Sequence, residues 1–128
     1  MILCGMMLLA SSAMAQVKVI AHRGYWNSPG AAQNSIAAMQ NAKKADVWGS
    51  EFDVHITTDG TVVVNHDDDI HGIIIEDAKY ADIKNLKLAN GEPIATLKSY
   101  LEAGKKLAPM QLILEIKAHQ TPEREDRC

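Results

Sequence analysis

Hydrophobic and polar positions change period several times along this chain, and each change marks an element. Val17-Lys18-Val19-Ile20-Ala21 is a short β-branched run and predicts a strand. His22 to Gly30 reads as a loop, broken by Gly24, Pro29 and Gly30. Asn34 or Ser35 can cap a helix over Ile36–Lys44, where Ile36, Met39 and Ala42 fall near helical spacing and two lysines close the last turn. From Val47 to Thr57 the period becomes two: Glu51, Asp53 and His55 share one face, Phe52, Val54 and Ile56 the other. Thr58-Asp59-Gly60-Thr61 predicts a turn, and Val62-Val63-Val64 a further short strand.

His66 to Gly91 is weakly patterned and rich in Asp and Asn, an excursion expected to hold one short helix around Ala81–Lys87. Leu97 to Leu107 is amphipathic through Leu97, Tyr100, Leu101 and Leu107, and Pro109 blocks its continuation. Gln111 to Lys117 returns to a strand. Helices alternating with strands in this order predict an α/β fold with parallel strands and helical crossovers. A complete (β/α)8 TIM-type barrel takes about 250 residues. This chain would supply roughly its first half: three main strands, their crossovers and an excursion.

Composition narrows the class. At 47% hydrophobic and 23% charged the chain is globular rather than disordered. A net charge of −3 with no basic stripe argues against a nucleic-acid partner. Met1 to Ala10 is apolar and uncharged, and Ser11-Ser12-Ala13-Met14-Ala15 ends in an Ala-x-Ala pattern. Residues 1–15 therefore read as a secretory signal that is removed, too short to span a bilayer. The expected protein is exported, periplasmic or secreted, with no stable membrane anchor. Beyond the signal only Cys128 remains, so no internal disulfide is expected.

The chemistry-bearing residues cluster at strand ends. His22 and Arg23 follow the first strand, Glu51 and Asp53 share a face of the second, His66 follows the short one, and Glu115 and Lys117 share a face of the last. In a parallel barrel the C-terminal strand ends meet at one mouth. Two carboxylates at i and i+2 repel unless a cation lies between them, and a third from Glu115 would make an all-oxygen set suited to Ca²⁺ or Mg²⁺. The same residues also suit a solvated cluster paired with Arg23 and Lys117. His22 and His66 can divide acid and base work near neutral pH, or be ordinary loop histidines. Arg23 offers a planar fork for phosphate and Lys117 a point charge.

These pieces together resemble the glycerophosphodiester phosphodiesterase family. The matching segments run in order: Ala21-His22-Arg23-Gly24; Gln33-Asn34-Ser35-Ile36-Ala37-Ala38; Glu51-Phe52-Asp53-Val54-His55-Ile56-Thr57-Thr58-Asp59-Gly60; Val62-Val63-Val64-Asn65-His66-Asp67; Ile94-Ala95-Thr96-Leu97; and Leu114-Glu115-Ile116-Lys117. The resemblance implies catalytic roles for His22 and His66, the latter protonating the leaving alcohol. It implies phosphate contacts for Arg23 and Lys117. Glu51, Asp53 and Glu115 match the carboxylates that hold one divalent cation, Ca²⁺ or Mg²⁺. The implied reaction converts a glycerophosphodiester and water to glycerol 3-phosphate and an alcohol. Gln33 stands where the family more often has Glu, which removes an ion pair or supporting contact. His55 shares the carboxylate face and is expected to line the mouth; His71 and His119 are expected at the surface.

The expected organisation is a signal over 1–15 and a partial barrel domain over 16–128, truncated at the C-terminus, whose open edges invite self-association. A different reading is a catalytically silent cation- or phosphate-binding fragment of such an enzyme. A third is a lyase-type phosphodiesterase acting on sphingolipids or lysolipids, disfavoured because such proteins usually carry disulfides.

Overall fold

The computed structural model describes residues 17–128. The expected export signal lies outside them. Strand β1 (Ile20–Ala21) leads through a tight loop into α1 (Ile36–Lys44), then β2 (Gly49–Ile56) and β3 (Val62–Val64). The excursion contains a small hairpin, β4 (Asp69–Ile70) and β5 (Ile73–Ile74), a 3-10 turn at Ile75–Asp77, and the one-turn helix α2 (Tyr80–Ile83). Helix α3 (Leu97–Lys105), strand β6 (Gln111–Ile116) and helix α4 (Pro122–Arg127) complete the order.

β2 is the axis. It pairs in parallel with β1 (Ile20↔Gly49, Ala21↔Ser50) and with β6 along six residues, Gly49↔Gln111 through Val54↔Ile116. β3 returns antiparallel against its far end. The parallel α/β layout agrees with the alternation in the sequence. The expected first strand is shorter, because β2 begins only at Gly49 and leaves Val17 and Lys18 nothing to pair with.

Local chemistry sets the helix limits. Ser35 is in extended conformation and its hydroxyl accepts from Ala38 N, the expected cap of α1. The Glu92 carboxylate accepts from Ile36 N (2.9 Å) and Ala37 N (3.2 Å), a distant anion on the positive end of the helix. Thr96 caps α3 in the same way as Ser35 caps α1.

Two cores result. Met39 and Ala42 of α1 and Tyr100 of α3 cover the outer face of β2 at Phe52 and Val54, with the Phe52 and Tyr100 rings 4.6 Å apart. Gly104 lets α3 approach β6: a Cβ there would collide with the Leu112 side chain. The excursion has a core of its own, Val63, Ile70, Ile75, Ala78, Ile83 and Ile94. It is a packed unit rather than a loose loop, and its helix starts at Tyr80, one residue before the expected position, and ends four residues early. Among the described residues, no helix is long and apolar enough to cross a membrane.

Candidate active site

The site begins in a turn that few sequences tolerate. After β1, Arg23 (φ 57°) and Gly24 (φ 75°) both occupy the left-handed region. A Cβ on Gly24 would lie 2.7 Å from the Ala38 Cβ, so glycine is required both for its dihedral and for α1 to pack here. The turn aims the Arg23 backbone N–H at Glu51 Oε2 (2.8 Å), and its guanidinium the other way, toward Gln33 and His66.

β2 supplies the floor. The Asp53 carboxylate is fully buried and held reciprocally by Asn34: Asn34 Nδ2 donates to Asp53 Oδ2 (2.9 Å), and Asp53 N donates to Asn34 Oδ1 (3.1 Å). Asn34 is itself left-handed (φ 61°), a conformation asparagine accepts more readily than most residues. Arg23 Nε lies 3.9 Å from Asp53 Oδ2 and Lys117 Nζ 3.6 Å from Asp53 Oδ1. Lys117 also donates to Glu115 Oε1 at 2.9 Å.

One oxygen from each of Glu51, Asp53 and Glu115 falls within 4.8 Å of the others. Glu51 Oε1 and Asp53 Oδ1 are buried without a hydrogen-bond partner. Orphaned carboxylate oxygens in that position are costly unless something positive completes them. Burial, with the Asp53 charge adding to it, pushes the Glu51 carboxyl above its ordinary range against the opposing Arg23 N–H. The Lys117 ammonium holds the exposed Glu115 below the usual carboxylate range. The donor set therefore fits a hard divalent cation: three carboxylates, all oxygen, two of them with unused buried lone pairs.

The histidines flank this floor. His22 is exposed, its Nε2 4.0 Å from Glu51 Oε2. His66 Nε2 is 2.7 Å from Arg23 Nη2 and His66 Nδ1 is 2.7 Å from Asp67 Oδ1. A guanidinium only donates, so Nε2 accepts and Nδ1 carries the proton toward Asp67. Both nitrogens of His66 are thus engaged. The structure brings all seven expected residues to one end of the sheet.

Sequence reasoning missed several supports. Gln33 accepts from Arg23 Nη1 (2.7 Å), so the Glu-to-Gln departure keeps a contact while giving up a charge. His55 is buried, and its Nε2–H donates to the His66 carbonyl (3.2 Å), tying β2 to the loop that carries His66. Burial lowers the His55 pKa from its ordinary value. His119 is not a surface bystander: its Nε2 accepts from Ile56 N (3.1 Å), continuing the ladder past the end of β6, and its ring lies 5.5 Å from that of His55. His71 fits the surface expectation, with its Nε2 on the Lys87 carbonyl.

A mixed, mainly parallel sheet that gathers three carboxylates, two histidines, an arginine and a lysine defines a class: α/β proteins with the groups to meet an anion beside a cation. Comparison narrows the class. The sequence profile of the glycerophosphoryl diester phosphodiesterase family matches residues 22–128. The chain belongs to that family. A glycerophosphodiester phosphodiesterase from Parabacteroides distasonis superposes with a TM-score of 0.82 at 52% identity, over 84% of this chain and 45% of that one. A phosphodiesterase from Oleispira antarctica, solved in complex with the product sn-glycerol-3-phosphate, superposes at 0.72 with 30% identity, over 85% and 48%. Glycerophosphodiester phosphodiesterase 1 of Rattus norvegicus is 40% identical over 55 residues, 43% of this chain and 16% of that protein. The chain spans a little under half the length of these solved relatives.

Proposed function

We propose that this chain carries the phosphate- and cation-binding part of an enzyme that hydrolyses glycerophosphodiesters to glycerol 3-phosphate and an alcohol, within a fold that is a (β/α)8 barrel when whole. The observation that carries the reading is the convergence of Arg23 and Lys117, as anion contacts, on the same floor as the Glu51, Asp53 and Glu115 triad. The product complex of the Oleispira relative supports the substrate class.

Each group has a task. Glu51, Asp53 and Glu115 hold one divalent cation, Ca²⁺ or Mg²⁺. Bound there, such a cation supplies positive charge where phosphoryl oxygens gain negative charge in the transition state. Arg23 gives a planar pair of N–H donors to the phosphate and Lys117 a single ammonium. His22 sits exposed beside Glu51, free to take a proton from the attacking hydroxyl. His66 serves the opposite side and delivers a proton to the departing alkoxide from Nε2. In the resting arrangement that nitrogen accepts from Arg23, so the phosphate must draw Arg23 away before Nε2 can carry a proton. Asp67 then stabilises the imidazolium through Nδ1. The apolar run and Ala-x-Ala pattern of residues 1–15 support the reading of an exported enzyme acting in the periplasm or outside the cell on headgroup diesters.

The test is hydrolysis of glycerophosphocholine by residues 16–128 with Ca²⁺ or Mg²⁺ and with chelator. Release of glycerol 3-phosphate that is lost with chelator and in Glu51→Gln is expected. Cation binding by calorimetry without any release would replace the enzyme by a silent binding fragment.

A further inference from the structure

β1, β2 and β6 run parallel, so their first residues meet at one end of the sheet, opposite the end that carries His22, His66 and Lys117. Helices α1 and α3 feed β2 and β6, and both finish at that same end. A groove of about 550 Å³ opens there, walled by Val17, Val19, Trp48, Pro109 and Met110. Val17 is 85% exposed, Val19 57% and Trp48 39%. Single apolar side chains at a surface are ordinary, but a tryptophan and two valines along one groove make a patch.

Lysines frame this groove. Lys18 precedes β1, Lys43 and Lys44 close α1, and Lys105 and Lys106 close α3. They are scattered along the sequence, and the parallel layout gathers them. Lys43 is in the groove wall, and Lys18 Nζ lies 4.4 Å from the centroid of the Trp48 ring. Cations in the last turn of a helix complement its dipole, which explains the two pairs on α1 and α3. It explains neither Lys18 nor the apolar groove between them. Among the described residues none of the five is in an ion pair. Asp46 is the acidic residue in the groove wall, and Glu102 lies a turn back along α3. In a chain of net charge −3, this end is positive.

We propose that this end is a docking surface for an anionic phospholipid bilayer. Trp48, Val17 and Val19 enter the headgroup layer, and the five lysines meet lipid phosphates. Charge and apolar surface together select this partner. A soluble polyanion would answer the lysines and leave the groove uncovered; a neutral bilayer would answer the groove and not the lysines. Docked this way, the end with His22 and His66 faces water. A site of the kind proposed above would then draw on dissolved diesters rather than on lipids held in the bilayer. That corollary rests on the reaction proposed above; the docking does not.

Cosedimentation with vesicles tests the surface without catalysis. The exported form, residues 16–128, is used so that the apolar residues 1–15 contribute nothing. Vesicles of equal parts phosphatidylcholine and phosphatidylglycerol are expected to bind it, and vesicles of phosphatidylcholine to leave it in solution. Binding should vanish in about 1 M salt, where charges are screened beyond about 3 Å. Lys44→Gln with Lys105→Gln and Lys106→Gln should weaken it about hundredfold. Lys79→Gln with Lys84→Gln and Lys87→Gln makes the same change of net charge on the excursion, and should alter binding by less than about threefold.

Tryptophan emission reads the orientation, because Trp26 and Trp48 are the two tryptophans and Trp26 shares a cavity wall with His66 at the opposite end. In Trp26→Phe, Trp48 should shift to shorter wavelength on anionic vesicles and be quenched by brominated lipid tails. In Trp48→Phe, Trp26 should do neither. Equal weakening by the two lysine sets would reduce the effect to overall charge and overturn the proposal. So would equal binding to neutral vesicles, or quenching of Trp26 in place of Trp48. Binding to heparin or RNA without binding to anionic vesicles would also overturn it, in favour of a soluble polyanion.

Discussion

β2 and β6 lie side by side in register, yet they inhabit different environments. All eight residues of β2 are buried, while β6 is intermediate or exposed throughout. Register mates make the contrast sharp. Phe52 is 1% exposed and its mate Leu114 41%; Asp53 is fully buried and its mate Glu115 is open to solvent. The cause is position. β2 has β1 and β3 on one side, β6 on the other, α1 and α3 on its outer face, and Arg23, Asn34 and Lys117 over its inner face. β6 has a neighbour on one edge only among the described residues. The same residue type on the two strands should therefore do different work, structural on β2 and ligand-facing on β6.

The largest expected effect tests the outer face. Phe52→Ala removes a ring packed on Tyr100 and is expected to cost about 3–5 kcal/mol, read as a fall in the urea midpoint or outright loss of the transition. A cost under about 1 kcal/mol would mean that α3 does not close on β2 as described.

On the inner face the mates separate stability from binding. Asp53→Ala strands the Asn34 amide and removes the anion shared by Arg23 and Lys117. About 2–3 kcal/mol of stability should go, together with any rise in melting temperature on adding Ca²⁺ or Mg²⁺. Glu115→Gln should leave the melting temperature of the cation-free protein close to the parent's. It should nevertheless weaken cation binding by about tenfold through the lost ligand charge. Equal effects of the two substitutions on the cation-free melt would break the comparison.

His55 gives a smaller effect with a pH signature. His55→Phe frees the His66 carbonyl and should cost about 1–2 kcal/mol; His55→Gln, which keeps an amide donor, should recover most of it. Because burial lowers the folded-state pKa, the unfolded chain takes up the proton first. The stability contributed by neutral His55 is complete above the unfolded value near 6.5 and is lost as pH falls through the folded value. Thermal melts stepped from about pH 7.5 to 5.5 should therefore drop more steeply for the parent than for His55→Gln. Parallel curves would remove His55 as the cause.

Much of this was legible from sequence because it is local. Ser35 before an alanine-rich period fixes the start of α1, and the period-two run through Glu51, Asp53 and His55 places three polar groups on one face of β2. The supports were not legible where they join residues far apart. His119 reaches Ile56 N across 63 positions, and Arg124 reaches Glu76 across 48 to hold α4 against the excursion. No periodicity announces such pairs. Helix α4 did carry a local signal, Thr121 as cap with Pro122 in the first turn, in a stretch otherwise too short and polar to show a period. The burial of Asp53 was the least foreseeable feature, since a lone aspartate in a strand says nothing of the asparagine that closes over it.

The smallest expected effect is the most specific to β6. Leu114 and Ile116 lie in register with Phe52 and Val54, on the face that α1 and α3 cover on β2 but leave open here. Their side chains forfeit little contact when shortened, so Leu114→Thr with Ile116→Thr should change stability by less than about 1 kcal/mol, against several for the same loss on β2. Threonine has the β-branched shape that suits a strand, so pairing with β2 should persist. What should change is association. An exposed apolar strand with a free edge is a template for another chain, and two hydroxyls on its face weaken that contact. Sedimentation of parent and double variant over a concentration series reads this directly. A parent that associates, beside a variant that stays monomeric with an unaltered melt, fits a β6 exposed on its outer face. A melt lowered by several kcal/mol would show Leu114 and Ile116 to be as enclosed as their mates on β2, and the distinction between the two strands would fall.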